Sequence, residues 1–524
     1  MPRHAPAPSP SRGERAPHPD RGRRAPRAAA RALGAAGLLL ALSACVNLAP
    51  ETRIPPPPVA DAWPADTDTA TARALNDLEW QGYFQDADMR RLIGLALEHN
   101  RDLRLAVLRV REAEAAYRIQ RADLLPSIGV QGAMDRGRVP GDLNLTGEPQ
   151  IQAQHQVSIG LSNWELDLWG RIRNLEDAAL GEWLATDSAR QAVQTALVRQ
   201  VADSVLALRE LDQRAFLADE AVRNRQQSLD IFEQRRAVGS SSELELTQVR
   251  TLLIQAQSLQ AQLKQERAAA AHALALLTGI DPGPTATGGV TLESTQLARL
   301  EPGLPSEVLV ARPDIRAAEY QLRAAHARIG AARAAFLPRI ALTSGVGTAS
   351  AELDGLFGGG SGTWSFAPVI EVPIFTAGRL SASLDVAEVR RDMAVASYEK
   401  SIQAAFREVS DALSARQGLA DQLAIQARMA QTQAERAGLA RLRYDSGAAP
   451  YLEVLDAERD LLTAQQQLVQ VRRAWLSSQV ALYAALGGGA GPQASAAGPA
   501  STAAAPPAAA PQPTPSPERH ELHR

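Results

Sequence analysis

A single cysteine, Cys45, occurs in the 524 residues. One thiol excludes an intrachain disulfide framework and a cysteine-built metal cluster. Aromatic residues are scarce, at 4%, while alanine is abundant. Helices of that composition pack closely along narrow seams rather than around a broad globular core. The net charge is only −3, which gives no electrostatic case for nucleic acid. The eight histidines show no metal-ligand spacing. Nucleophile motifs, phosphate loops and dinucleotide fingerprints are absent as well, so nothing in the sequence speaks for an enzyme.

Proline is missing over two long stretches. From Arg171 to Val238 there is none, and glycine occurs once, at Gly181. A helix of that length would extend on the order of 100 Å, at about 1.5 Å per residue. Leu197, Val201, Val205, Leu208 and Leu211 recur at three- and four-residue spacing, as a coiled-coil seam requires. The run breaks at Gly239, and a returning helix is predicted from about Ser242 to Leu277, ending at Thr278-Gly279. A second proline-free run leads from Gly378 to Ala449. At its end Gly447 and Pro450 interrupt the helical pattern, as a tight helix-to-helix turn needs. Gly447 matches Gly239, and Leu452-Glu453 matches Leu244-Glu245. One hairpin tip is thus built twice, and the second copy carries more charge.

The repetition extends upstream of both tips. A helical pattern over about Asp88 to Leu125 stops at Pro126, and Asp102-Leu103 corresponds to Asp314-Ile315. Leu124-Leu125-Pro126-Ser127-Ile128 corresponds to Phe336-Leu337-Pro338-Arg339-Ile340. Beyond Pro126, Ile128, Val130 and Gly132 alternate with small or polar residues, and Val157, Ile159 and Leu161 do the same, which is a strand signal. A polar loop from Arg136 to Gln150 is predicted between them. In the second copy, Trp364-Ser365-Phe366 and Ile370-Glu371-Val372-Pro373-Ile374 form the later strand, with Glu371 matching Glu165 and Gly378-Arg379 matching Gly170-Arg171. The expected organisation is a first repeat over 88–279, a linker over 280–305 and a second repeat over 306–488. A Gly-, Ala- and Pro-rich tail over 489–524 is expected to be disordered.

At the N-terminus a basic region precedes a short apolar run, Leu33 to Leu42, which reads as a secretory signal over 1–44 and is too short to span a membrane. Leu42-Ser43-Ala44-Cys45 resembles the lipobox of bacterial lipoproteins, in which Cys45 would become the lipidated first residue. Val46 follows it rather than the Asp that commonly retains lipoproteins at the inner membrane, so the resemblance implies the outer membrane. Residues 45–87, with Pro55 to Pro58 in a row, read as a lipidated, extended lead-in.

Each repeat supplies two strands of about ten residues, the length that crosses a bilayer when tilted. Four strands are too few to close a barrel with an open lumen, and exposed sheet edges are not tolerated in lipid. Three chains would contribute twelve strands, an even number within the range of bacterial barrels. The helices are far longer than a membrane is thick and must project into water. The expected fold class is an α+β membrane protein. It combines internally duplicated α-helical hairpins, forming an α-barrel, with four transmembrane β-strands per chain in a shared 12-stranded β-barrel of a trimer.

The two Leu-Pro-x-Ile strand starts and the run Gly303-Leu304-Pro305-Ser306-Glu307-Val308-Leu309-Val310-Ala311-Arg312-Pro313-Asp314-Ile315-Arg316-Ala317-Ala318-Glu319 carry a family likeness. From Cys45 to about Gly488 the sequence resembles the outer-membrane efflux channel proteins of the TolC-like family, in their lipoprotein (OprM/NodT) branch. The resemblance implies a homotrimer with a β-barrel in the outer membrane and an α-barrel in the periplasm. It implies as partners a periplasmic adaptor (membrane fusion) protein and an inner-membrane transporter of the resistance-nodulation-division type. The implied task is passive conduction of drugs and solutes, with no cofactor beyond a covalent lipid on Cys45 and no metal. A duct for protein secretion and a lipid-anchored coiled-coil scaffold without a pore remain alternatives.

By the same resemblance, helix pairs bearing the two tips close the periplasmic end, with their turns at Gly239, Gly447 and Pro450. Glu453 and Asp456 match acidic positions that ring the constriction in some members; three copies would place six carboxylates there, raising pKa values and attracting cations. Leu452 matches an apolar constriction position and Arg459 a neighbouring basic one. Tyr444 matches a tyrosine that bonds to an acid on the adjacent helix pair, here Glu245. Glu453 stands where Asp is usual in some members, and Ala449 stands where some place a locking Arg, so that ion-pair lock lacks its partner. Spacing alone allows blander roles: a solvated acid pair, coiled-coil packing for Leu452, and a surface ion partner for Arg459. Trp364 and Phe366 fit either an interfacial aromatic girdle or packing between strands.

Overall fold

A computed structural model describes residues 47–51, 53–60, 63, 79–145, 147–281, 283, 289–300 and 312–488. Cys45, the signal region, residues 303–311 of the family-like run and the C-terminal tail lie outside the described residues. The elements are α1 (Trp80–Tyr83), α2 (Ala87–His99), α3 (Arg101–Ala122), β1 (Ile128–Val139), β2 (Gln150–Glu165), α4 (Arg171–Ala237), α5 (Glu243–Thr278), α6 (Pro313–Ala334), β3 (Arg339–Ser350), β4 (Gly362–Glu371), α7 (Arg379–Asp445) and α8 (Tyr451–Ala485). No helix among the described residues is long and apolar enough to cross a membrane.

The two repeats are not the two compact units. One unit gathers residues 47–57, Val107–Ser188 and Ala317–Ser401; the other gathers Pro58–Ala106, Ala189–Arg316 and residues 402–488. Equivalent parts of the repeats pack with each other, strand against strand and hairpin against hairpin, so each unit draws on both copies.

In the first unit the strands form one antiparallel sheet in the order β1-β2-β3-β4, joined across the repeats by β2 and β3. Several ends differ from expectation. β1 runs on to Val139 and β2 begins at Gln150, because Arg136 and Arg138 stay in the ladder opposite Ala153 and Ile151; the loop shrinks to 140–149. β4 ends at Glu371, short of Pro373, which has no N–H to give a ladder. The proposed match of Glu371 to Glu165 also fails. Ile128 faces Leu161 while its counterpart Ile340 faces Ile370, so Leu161, not Trp164, is the equivalent of Ile370. An irregularity between Leu161 and Trp164 accounts for part of the offset. Glu165 instead bonds Arg171 in two places, at 2.8 and 2.7 Å, and also accepts from Arg339 at 2.7 Å.

In the second unit the predicted seam is internal: Val201 and Val205 are fully buried with Leu206, against Leu274 of α5 and Val480 of α8. The helical pattern expected over Asp88 to Leu125 is two helices. Asn100 leaves helical geometry, at φ −63° and ψ 131°, and its Oδ1 accepts from the Leu103 N–H at 2.9 Å, capping α3. The lead-in and the linker each contain core. Tyr83 and Phe84 are fully buried, and the Tyr83 ring stacks on Tyr483 at 4.4 Å. Leu292 and Leu300 close over the same cluster, and Phe84 bridges to Leu297. Arg312, in the family-like run, is buried where α6 begins. It donates to Asp314 at 3.0 and 2.7 Å, to Glu408 at 2.8 Å and to the Ala485 carbonyl at 2.7 Å.

Candidate functional site

Two hairpin tips meet in the second unit. α4 ends at a turn where Gly239 takes φ +77°, a conformation that disfavours side chains. α5 then opens with a complete capping box: the Ser242 hydroxyl accepts from the Glu245 N–H at 3.2 Å, and the Glu245 carboxylate accepts from the Ser242 N–H at 2.8 Å. That N–H, with the hydroxyls of Ser241 and Ser242, holds the Glu245 carboxyl below its usual range. The second turn is similar in backbone, with Gly447 at φ +76°, but α8 starts from Pro450 with no side-chain cap.

A shared core ties the tips together. Leu229 and Phe232 from α4 and Leu246 and Val249 from α5 pack with Ala440 of α7 and Tyr451, Val454 and Leu455 of α8. Tyr451 is central: its ring lies 4.8 Å from Phe232 and 4.8 Å from Tyr444, and its hydroxyl is 2.6 Å from the Ser228 hydroxyl. Burial pushes the Tyr451 hydroxyl up. Arg235 lies over the Phe232 and Tyr444 rings and donates to the Tyr444 hydroxyl.

Tyr444 and Glu245 are therefore not partners within the chain. Arg235 occupies the Tyr444 hydroxyl, and the capping box occupies Glu245. The acids singled out on α8 sit on its outer surface, each with an arginine. Arg443 donates to Glu453 at 2.6 Å across the turn, and Arg459 lies 3.1 Å from Asp456. Leu452 is 45% exposed and stands outside the shared core. Sequence reasoning missed Ser228, Tyr451 and the Arg443–Glu453 pair. The last had a signal, since residues equally spaced about a tight turn face each other. It also missed Glu458, whose carboxyl is pushed up by burial despite Arg441 and Arg225 nearby.

The sheet of the first unit has two unlike faces. Cross-strand partners share a face, so the ladders assign every position. One face carries Val130, Ile159, Leu161, Val346, Phe366 and Ile370. The other carries Gln131, Gln152, Gln154, Gln156, Ser158 and Thr343. Trp364 and Phe366 lie on the apolar face, 78% and 62% exposed, and do not pack between strands within the chain. An apolar outside and a polar inside is the pattern of a strand wall between lipid and an aqueous lumen.

Known proteins decide the family. A family model described as "Outer membrane efflux protein" matches residues 92–280 and 304–488. The chain belongs to the outer membrane efflux protein family. This efflux protein is 43% identical over 458 residues to the solvent efflux pump outer membrane protein SrpC of Pseudomonas putida, covering 86% of the chain and 97% of that protein. It is 40% identical to the outer membrane protein OprJ of Pseudomonas aeruginosa, over 87% of the chain and 96% of that protein. Among solved structures, the Neisseria gonorrhoeae outer membrane channel MtrE in its open state matches with a TM-score of 0.78 and 34% identity, covering 85% of the chain and 99% of MtrE. The protein is accordingly an outer-membrane efflux component of TolC-like fold and not an enzyme, with four strands and long helical hairpins in each chain. Among the described residues no three His, Cys, Asp or Glu side chains converge on a metal position.

Proposed function

We propose that the protein is the trimeric exit duct of a tripartite pump. In this reading it passively carries small apolar molecules out of the periplasm, of the solvent class for which its relative SrpC is named and of the drug class that the family resemblance implies. The observation that carries this reading is the two-faced, open four-stranded sheet. Among the described residues, its outer strands β1 and β4 each have one edge without a partner strand. Such edges are costly in hydrocarbon, and closure by two further copies removes them. A periplasmic adaptor and an inner-membrane transporter, of the resistance-nodulation-division type, supply the cargo and the energy. A lipid on Cys45 adds a second membrane anchor.

The tips form the closed gate. Leu452 narrows it, and Glu453, Asp456 and Arg459 line it with charge. Opening draws the second hairpin from the first, breaking the Ser228–Tyr451 and Arg235–Tyr444 contacts. The internal repeat supplies a test of closure. Gln156 faces Ala349 between β2 and β3. Their equivalents, Ser365 and Gly137, would face each other between β4 of one copy and β1 of the next. Oxidation of the S365C/G137C variant in outer membranes is expected to give disulfide-linked dimers and trimers on non-reducing gels. Monomer alone, from a protein that still folds, would count against the shared barrel.

A further inference from the structure

We propose that Arg136 and Arg138 form a binding site for a phosphate of the lipid A glycolipid in the outer leaflet. The inference rests on the reading that the sheet spans the outer membrane with its apolar face toward lipid. β1 places Ile128, Val130, Gly132, Met134, Arg136 and Arg138 on that face in succession. The first four suit hydrocarbon, and the last two do not. Arg136 is opposite Ala153 and Arg138 opposite Ile151, so neither meets an acid across the ladder. Asp135, the residue just before Arg136, lies on the polar face, opposite Gln154. Both arginines are exposed, and neither is paired with a described carboxylate.

Their height fits the assignment. A strand rises about 3.4 Å per residue, and a tilt of about 40° leaves about 2.6 Å per residue along the membrane normal. Arg136 then stands about 21 Å and Arg138 about 26 Å beyond Ile128, against an apolar band about 25 Å tall. Long helices join the strands at the Ile128 end, so that end is periplasmic and the arginines lie at the outer surface. Two guanidiniums two residues apart share one side of the strand, about 7 Å apart, a span that one phosphate or two neighbouring ones can bridge with charge-assisted hydrogen bonds. At the same end, the loop after β1 carries Asp142 and Glu148 and the turn after β3 carries Glu352 and Asp354, with no Lys or Arg in either, so the guanidiniums of this end are those of β1. The outer leaflet is where a phosphorylated glycolipid meets such a surface; inner-leaflet phospholipid headgroups lie at the other end of the strand.

Native mass spectrometry on the detergent-purified full-length protein tests this, titrating Kdo2-lipid A, its dephosphorylated form and phosphatidylglycerol. Wild type is expected to retain Kdo2-lipid A in preference to both other lipids. R136Q/R138Q is expected to bind it at least tenfold more weakly, with each single variant intermediate. The same spectra report oligomeric state, so a loss of assembly is distinguishable from a loss of lipid. If the double variant assembles poorly, R136K/R138K keeps the charge and is expected to bind more tightly than either single Gln variant. Undiminished binding by an assembled R136Q/R138Q protein overturns the proposal. So does equal binding of phosphatidylglycerol or of dephosphorylated lipid A by wild type.

Discussion

If opening draws the second hairpin from the first, Tyr451 decides its cost. The residue is anchored in the first hairpin by its hydroxyl on Ser228, at 2.6 Å, and by its ring on Phe232, at 4.8 Å. Tyr451→Phe deletes only the hydroxyl. Ser228 keeps its bond to the Asn224 carbonyl at 3.0 Å, so no buried donor is stranded. The loss is then that of one neutral hydrogen bond, about 1 kcal/mol, or roughly a fivefold rise in the opening equilibrium. Phe232→Ala removes a ring that is 97% buried and should cost about 3 kcal/mol or more, roughly a hundredfold or greater shift. Single-channel open probability in planar bilayers measures both, and sensitivity of cells to a large antibiotic reports the same leak. The expected order is wild type, then Tyr451→Phe, then Phe232→Ala, the last far above the others. An unchanged open probability in both variants, with correctly assembled protein, would mean that the four tip helices move as a block.

Three further outcomes follow from the geometry. Glu453→Gln with Asp456→Asn should lower cation preference, whereas Arg443→Ala, which frees the Glu453 charge, should raise it; reversal potentials across a salt gradient read both signs. Glu458 has a folded pKa above its ordinary value, so it binds more protons folded than unfolded and stability falls as pH rises past the usual carboxylate range. Glu458→Gln should flatten that decline in melting temperatures between pH 5 and 8. Gly279 holds φ +73°, and a Cβ there would meet the His99 carbonyl, so Gly279→Ala should destabilise by at least about 1–2 kcal/mol, visible as a lowered melting temperature.

Much of the fold is legible in the sequence because proline and glycine act locally. The predicted breaks at Gly239, Gly279 and Pro450 each fall within a residue or two of a helix end. Alternation located the two strands of the first repeat and the internal correspondence those of the second, but the ends were misjudged, since Arg136 and Arg138 read as loop residues yet belong to the β1–β2 ladder. Asn100 was hidden because its break falls within an otherwise helical periodicity, and only its side-chain bond to Leu103 ends the run. Glu453 and Asp456 could be singled out from motif. That Glu453 and Asp456 each carry an arginine, and that Tyr444 turns to Arg235, depends on how four helices from distant parts of the chain pack.

The two turns, alike in backbone, are unlike in how they are fastened. In the first, Ser242 and Glu245 satisfy each other's amides; in the second, Pro450 opens α8 without any side-chain cap. Duplication has left one turn closed by a capping box and the other spanned by the Arg443–Glu453 pair. Under the proposed gating, selection on single positions near Pro450 and Tyr451 would retune when the duct opens, while the capped turn would keep the frame against which that movement is made.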